Sequence, residues 1–93
     1  MTEENIKFFL EQNYQDHKIL LADGFEDAFM GIVESNGSRP KALYNEDECV
    51  DILMERDGMG YDEAIEFFNF NVAGAYVGEY TPAFVAPLYV AKE

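Results

Sequence analysis

The pair Asn36-Gly37 constrains the fold of this chain more than any other short feature of the sequence. Asn-Gly favours the positive backbone φ angles of a tight turn between antiparallel strands. It lies between the apolar run Ala28 to Glu34, which is rich in strand-forming residues, and a second run from Lys41 to Tyr44. The sequence therefore predicts a β-hairpin, with a loop extended by Ser35 and by Ser38 to Pro40.

Other short apolar segments are predicted to be extended. Ile19 to Ala22 is such a run, and the turn signal Asp23-Gly24 follows it. Near the end of the chain, Pro82 prevents a helix from continuing. We therefore expect extended segments at Pro82 to Val85 and at Leu88 to Val90.

A helix is predicted at the start of the chain. Thr2 can act as its N-cap, and the apolar residues Ile6, Phe9 and Leu10 fall at i, i+3 and i+4. This helix should end near Tyr14 or Gln15.

Two further helices are predicted after the hairpin. Asn45 can cap the first of them, with Glu48 at the spacing of a capping box. The second begins at Gly60 or Tyr61, and its apolar face has helical spacing: Tyr61, Ala64, Ile65, Phe68 and Val72. The predicted fold is a single compact α+β domain over residues 1–93, in which two to three helices pack on one face of a small antiparallel sheet.

The charge of the chain is strongly negative. Lys and Arg number 6 against 19 Asp and Glu, which gives a formal net charge of −13. Direct binding to nucleic acid is disfavoured, because phosphates attract basic surfaces. Between Glu46 and Glu79 the only basic residue is Arg56. This charge either serves solubility or offers an acidic face to a basic partner, including one that normally holds DNA or RNA.

The sequence favours a cytoplasmic protein. Cys49 is the only cysteine, so no disulfide can form within the chain. The acidic N-terminus does not resemble a signal peptide, and no apolar run is long enough to span a membrane.

No motif of a known catalytic chemistry is present. The chain lacks a phosphate-binding glycine loop, zinc-ligand spacing, a Gly-x-Ser-x-Gly element and a Cys/His pair. We therefore expect no catalytic residue, no cofactor and no metal, and a role other than catalysis.

The carboxylates Asp23, Glu26 and Asp27 form the best polar cluster outside a helix start. On a strand, alternation would place Asp27 between two aromatic rings and leave it half-buried, so that its charge would need a partner. Such a carboxylate near Tyr44 or an asparagine could form a polar site. The alternative is a structural hydrogen bond to the turn.

The stretch EFFNFNVAGAYVGEYTPAFV, Glu66 to Val85, is apolar on more than one side of its predicted helix. Phe67 and Phe70 lie off the main apolar face. Exposed aromatic patches usually mark interaction sites, so these rings, with Tyr76, predict a homodimer or a groove for a partner. In the competing account, the first helix covers them within one chain. Asn69 and Asn71 can form hydrogen bonds with backbone groups at the helix end.

Several segments together resemble a family of small uncharacterised acidic proteins encoded by bacteriophages and bacteria. The segments, which span roughly residues 20 to 85, are DGFEDAFMG from Asp23, the helix entry at Tyr44, ILM from Ile52, FNFNV from Phe68, GAYVGE from Gly74 and Thr81-Pro82. The resemblance implies a cytoplasmic protein that acts during infection or is carried on a mobile element. It implies no activity and assigns no catalytic residue.

The predicted function is that of a non-enzymatic, phage-type accessory protein that binds a host or phage protein. One form of this is inhibition of a nucleic-acid-binding or defence protein through the acidic face. The alternative is a small-ligand-binding protein or minor enzyme with a site around Asp23–Asp27 and Asn69–Tyr76, and a virion structural role is a third. The candidate binding residues are Asp23, Glu26, Asp27, Tyr44, Phe67, Asn69, Phe70, Asn71, Tyr76 and Glu79.

Overall fold

The first helix of the computed structural model, which describes residues 2–87, is α1 (Glu3–Asn13). Thr2 caps it, because the Thr2 Oγ1 accepts a hydrogen bond from the Asn5 N–H at 3.1 Å. Ile6 is fully buried, whereas Lys7 and Glu3 form an ion pair at 2.7 Å on the exposed side. The predicted helix and its cap are confirmed.

The segment after α1 contains no strand, so the strand predicted at Ile19 to Ala22 is wrong. The Ala22 N–H donates to the Tyr44 hydroxyl at 2.8 Å instead of joining a ladder of strand hydrogen bonds. Ile19 and Leu21 pack against the core from this irregular segment. A short 3₁₀-helix, Glu26–Ala28, follows, after Gly24 with its φ of 92°.

The predicted hairpin is confirmed and consists of β1 (Phe29–Val33) and β2 (Lys41–Asn45), paired antiparallel. The register shifts between Phe29 and Gly31, so Met30 lies in a β-bulge and is 56% exposed. In the loop only Gly37 has a positive φ, 78°, so the turn is not the two-residue type that needs positive φ at both positions.

The third strand, β3 (Ala83–Val85), pairs with β2 in parallel, and the sheet order is β1-β2-β3. The predicted α+β class is therefore confirmed, but the expectation of a purely antiparallel sheet is wrong. A parallel pair needs a long crossover connection, and the helices between β2 and β3 provide it. The predicted extended segment at Leu88 to Val90 lies outside the described residues.

Two helices and a π-helix form the crossover. Asn45 caps α2 (Glu46–Asp57) by accepting a hydrogen bond from the Glu48 N–H at 3.1 Å, as its position in the sequence predicts. Gly58, with a φ of 69°, ends α2. The next helix, α3 (Tyr61–Phe67), continues directly into a π-helix, Phe68–Ala73.

Gly74 follows the π-helix because a side chain would not fit at this position. A Cβ atom on Gly74 would lie 2.7 Å from the Asn69 carbonyl oxygen. The wider turns of the π-helix therefore end where a glycine lets the chain pass close to the preceding turn.

The core lies on the face of the sheet that carries Ala42 and Tyr44, alternate residues of β2. The Tyr44 ring stacks on Phe84 at a centroid distance of 5.7 Å, and Phe84 meets Phe68 edge to face at 5.1 Å. Residues of α2 and α3 complete this cluster. Its buried members are Phe25, Ala28, Ala42, Tyr44, Cys49, Val50, Leu53, Ala64 and Phe68. No helix within residues 2–87 is long and apolar enough to cross a membrane.

Candidate functional site

The side of α3 and the π-helix that faces away from the core carries acidic and aromatic side chains around one groove of about 480 Å³. The residues of this α3 outer surface are Asp62, Glu63, Glu66, Phe67, Phe70 and Asn71. Phe67 is 38% exposed and Phe70 is 76% exposed. Because most of the Phe70 ring faces solvent, α1 does not cover it, and the competing account that placed these rings in the core is wrong for Phe70.

Helical spacing produces this surface. Ala64 and Phe68, four positions apart, are buried. Glu63 and Phe67, also four positions apart, lie on another side of the same helix and line the outer groove. One helix therefore anchors in the core and presents a second, partly aromatic face outward.

The electrostatic character of the α3 outer surface is uniformly negative. The ion pairs described within residues 2–87 join Lys7 to Glu3, Arg39 to Glu79 and Arg56 to Asp57, and none of them uses an acid of this surface. The sequence from position 57 to position 91 contains no lysine or arginine. The three carboxylates therefore face solvent beside the exposed rings without a basic neighbour in the local sequence.

A second groove, of about 420 Å³, lies between α2 and α3. Val50 and Phe68 form part of its apolar lining, and Tyr61 is 61% exposed beside them. Tyr61 was predicted on the buried face of α3, so that placement is wrong. This interhelical groove is lined by Glu46, Asp47, Val50, Asp51, Tyr61, Ile65, Phe68 and Asn69.

The turn that contains Asp23 to Asp27 is held by structural contacts. The Glu26 Oε2 accepts a hydrogen bond from the Gly24 N–H at 2.6 Å. The Arg56 Nη1 donates to the Gly24 carbonyl oxygen at 2.8 Å, and its guanidinium lies 5.4 Å from the centre of the Phe25 ring. Asp27 is exposed, because it belongs to a 3₁₀-helix and not to a strand, so the expectation that it is half-buried is wrong.

The two halves of the predicted small-ligand site contact opposite ends of α2. The Asp23–Asp27 turn contacts Arg56 near the end of that helix, whereas Asn69 shares the interhelical groove with Glu46 at its beginning. A helix of this length spans about 18 Å. Among residues 2–87, the groove that Asn69 lines therefore includes the beginning of α2 and no residue of the turn.

The remaining predicted site residues are dispersed. Tyr44 is buried in the core, and Tyr76 is 77% exposed in the segment after the π-helix. Glu79 pairs with Arg39 at 3.5 Å across an exposed surface. Asn69 and Asn71 are exposed and line different grooves, Asn69 the interhelical groove and Asn71 the groove of the α3 outer surface.

Burial favours the neutral forms of two side chains, the Cys49 thiol and the Tyr44 hydroxyl. Burial raises the pKa of the Cys49 thiol to about 12, and Glu48 and Glu46 add to the effect. A thiol of such high pKa is a poor nucleophile at neutral pH. Burial also raises the pKa of Tyr44, and the hydrogen bond from Ala22 partly opposes this.

Within the part of the chain that the structure describes, no group of three or more His, Cys, Asp or Glu side chains is placed to hold a metal ion. His17 lies instead against Tyr80, with 2.8 Å between its Nδ1 and the Tyr80 hydroxyl oxygen. This contact ties the chain after α1 to the turn before β3.

The sequence identified the rings of the α3 outer surface and, separately, an acidic stretch between Glu46 and Glu79 with Arg56 as its only basic residue. It did not single out Asp62, Glu63 and Glu66 as the acids that share a groove with those rings. Comparisons with protein-family models, with curated proteins and with solved structures give no match to this chain.

Proposed function

We propose that this protein is a non-enzymatic binding protein that contacts another protein through the α3 outer surface. The observation that carries the proposal is the 76% exposure of Phe70, beside the partly exposed Phe67. Exposed aromatic surface of this kind favours association, because burial of apolar area is stabilising by about 25 cal/mol per Å² before the costs of association.

The partner proposed here is a host or phage protein with a basic surface, met in the cytoplasm. The net charge of −13 and the carboxylates of the α3 outer surface support a basic partner. The phage origin rests on the sequence resemblance alone. A basic partner that normally binds DNA or RNA would be inhibited by competition for the same basic surface.

Affinity capture tests the proposal. The tagged protein is incubated with bacterial lysate, and the bound proteins are compared with those bound by Phe67→Ser/Phe70→Ser at increasing salt. We expect the double variant to lose the partner, and we expect salt to weaken its retention, because exposed charges are screened over about 10 Å at 0.1 M salt. Phe8→Ser is the matched control, since Phe8 is 63% exposed on α1.

Circular dichroism of each variant checks that the fold is kept. A partner that folded Phe67→Ser/Phe70→Ser retains as well as the wild type does would contradict the proposal. If retention of the partner does not depend on salt but is lost in Phe67→Ser/Phe70→Ser, then the two rings form the interface and the carboxylates do not contribute to binding.

The interhelical groove favours a second candidate function, the binding of a small molecule. Its volume of about 420 Å³ lies within the range of small-molecule sites. Asn69, one of the predicted site residues, supplies a polar group beside the apolar Val50 and Ile65. An NMR screen of a metabolite library that shifts no resonance of these three residues would exclude this function.

A further inference from the structure

The α3 outer surface combines aromatic and acidic side chains, and the two kinds require different side chains of a binding partner. Phe67 and Phe70 need apolar side chains, and Glu63, with its acidic neighbours, needs positive charge. The two kinds are interleaved around one groove: Glu63 and Phe67 are four positions apart on α3, and Glu66 and Phe70 line the same groove. An occupant must therefore carry basic and apolar side chains at a matching spacing.

A second copy of this chain does not meet this requirement. In a symmetric dimer the same surface patch lies on both subunits, so Asp62, Glu63 and Glu66 would approach the corresponding acids of the other copy. The sequence from position 57 to position 91 provides no lysine or arginine to separate them. Like charges placed together in an interface suppress association, and each copy carries a net charge of −13.

We infer that the α3 outer surface binds a basic amphipathic helix of a partner protein. The inference rests on the proposed function and specifies the partner segment. The surface runs from Asp62 to Asn71, about 13 Å along the helix axis, which matches two to three turns of a second helix. Apolar side chains of that helix at i, i+4 and i+7 contact Phe67 and Phe70, and its flanking lysines or arginines face the carboxylates.

A pair of synthetic peptides tests the pattern directly. The first is a peptide of about 14 residues of leucine and lysine with leucine at i, i+3, i+4 and i+7, long enough to form a helix on binding. The second has the same composition in a scrambled order that leaves no apolar face. We expect the first peptide to shift the amide resonances of residues 62–71 in NMR spectra and to bind at least about tenfold more tightly than the second.

Variants of the protein test the two halves of the surface. Phe70→Ser should weaken binding of the amphipathic peptide by about tenfold or more, as expected for a ring at the centre of an interface. Glu63→Gln/Glu66→Gln should weaken it at low salt and flatten its salt dependence. The control Glu4→Gln/Glu55→Gln removes the same charge from exposed positions on α1 and α2, and it should change the affinity by less than about twofold.

The outcomes separate this inference from the proposed function. Equal binding of the scrambled peptide, or equal loss in the Glu4→Gln/Glu55→Gln control, would show that net charge alone acts and would overturn the inference. A wild-type dimer that Phe70→Ser dissociates in light scattering would replace the basic helix with a second copy. If the amphipathic peptide fails to bind while Phe67→Ser/Phe70→Ser still loses its captured partner, the inference fails and the proposed function stands.

Discussion

Replacing Tyr44 with phenylalanine removes one buried oxygen atom and leaves the ring in place. Tyr44 is 1% exposed, and its hydroxyl accepts the hydrogen bond from the Ala22 N–H at 2.8 Å. A donor that loses its partner in the interior costs about 1–3 kcal/mol. Because Ala22 is only half-buried, water reaches it in part, and we expect the free energy of unfolding to fall by about 1–2 kcal/mol.

Urea unfolding followed by circular dichroism measures this change, which corresponds to a Tm decrease of about 4–8 °C per kcal/mol. Hydrogen exchange of the Ala22 amide should accelerate in the same variant. Tyr61→Phe is the matched control, because Tyr61 is 61% exposed, and it should change stability by less than about 0.5 kcal/mol. Equal stability of the two variants, with unchanged exchange at Ala22, would refute the assigned role of this hydrogen bond.

Two further predictions concern a buried thiol and the end of the π-helix. Because the pKa of Cys49 is raised from 9.0 to about 12, its contribution to stability is complete below pH 9.0 and is lost as pH rises toward 12. Unfolding free energies should therefore decline less steeply over that range in Cys49→Ala, and equal slopes would contradict this. Gly74→Ala should lose about 1–3 kcal/mol in urea unfolding, because its Cβ would lie 2.7 Å from the Asn69 carbonyl oxygen. The control is Gly60→Ser, whose Cβ meets no atom within 4 Å and whose hydroxyl can cap α3, and this variant should be at least as stable as the wild type. If Gly74→Ala were as stable as the wild type, the steric argument would be contradicted.

The elements that the sequence predicted well are those specified by local interactions. Thr2 and Asn45 accept hydrogen bonds from backbone groups three positions away, so a cap is visible in a few residues of sequence. Gly37 similarly marks the hairpin loop through its own backbone conformation. These features need no knowledge of distant parts of the chain.

The elements that were predicted wrongly depend on distant contacts. In the segment Ile19 to Ala22, which is not a strand, the Ala22 N–H donates to the hydroxyl of Tyr44, a residue 22 positions away. The direction of β3 depends on how α2, α3 and the π-helix return the chain to β2, which no local pattern specifies. The burial predicted for Asp27 was wrong because the prediction assumed a strand at this position. The turn at Gly24 leads instead into a 3₁₀-helix that contains Asp27.

The candidate site was predicted in part for a similar reason. Helical spacing alone showed that Phe67 and Phe70 lie off the apolar face, and the structure places both rings at the surface. The neighbouring carboxylates became significant only when the structure placed them in the same groove. Proximity on a helix face can be inferred from sequence, whereas the groove depends on where the helix packs.

The mixed sheet imposes an order on the folding of this chain. Strands β1 and β2 are joined by a short loop, so their pairing closes only a short segment of chain. The segment between β2 and β3 contains α2, α3 and the π-helix, so pairing of these strands closes a much longer loop. Because closing a longer loop costs more entropy, the hairpin should form early and β3 should dock late. Phe84, which contacts both Tyr44 and Phe68, then joins the core last, so its truncation should speed unfolding more than it slows folding, as stopped-flow kinetics can measure.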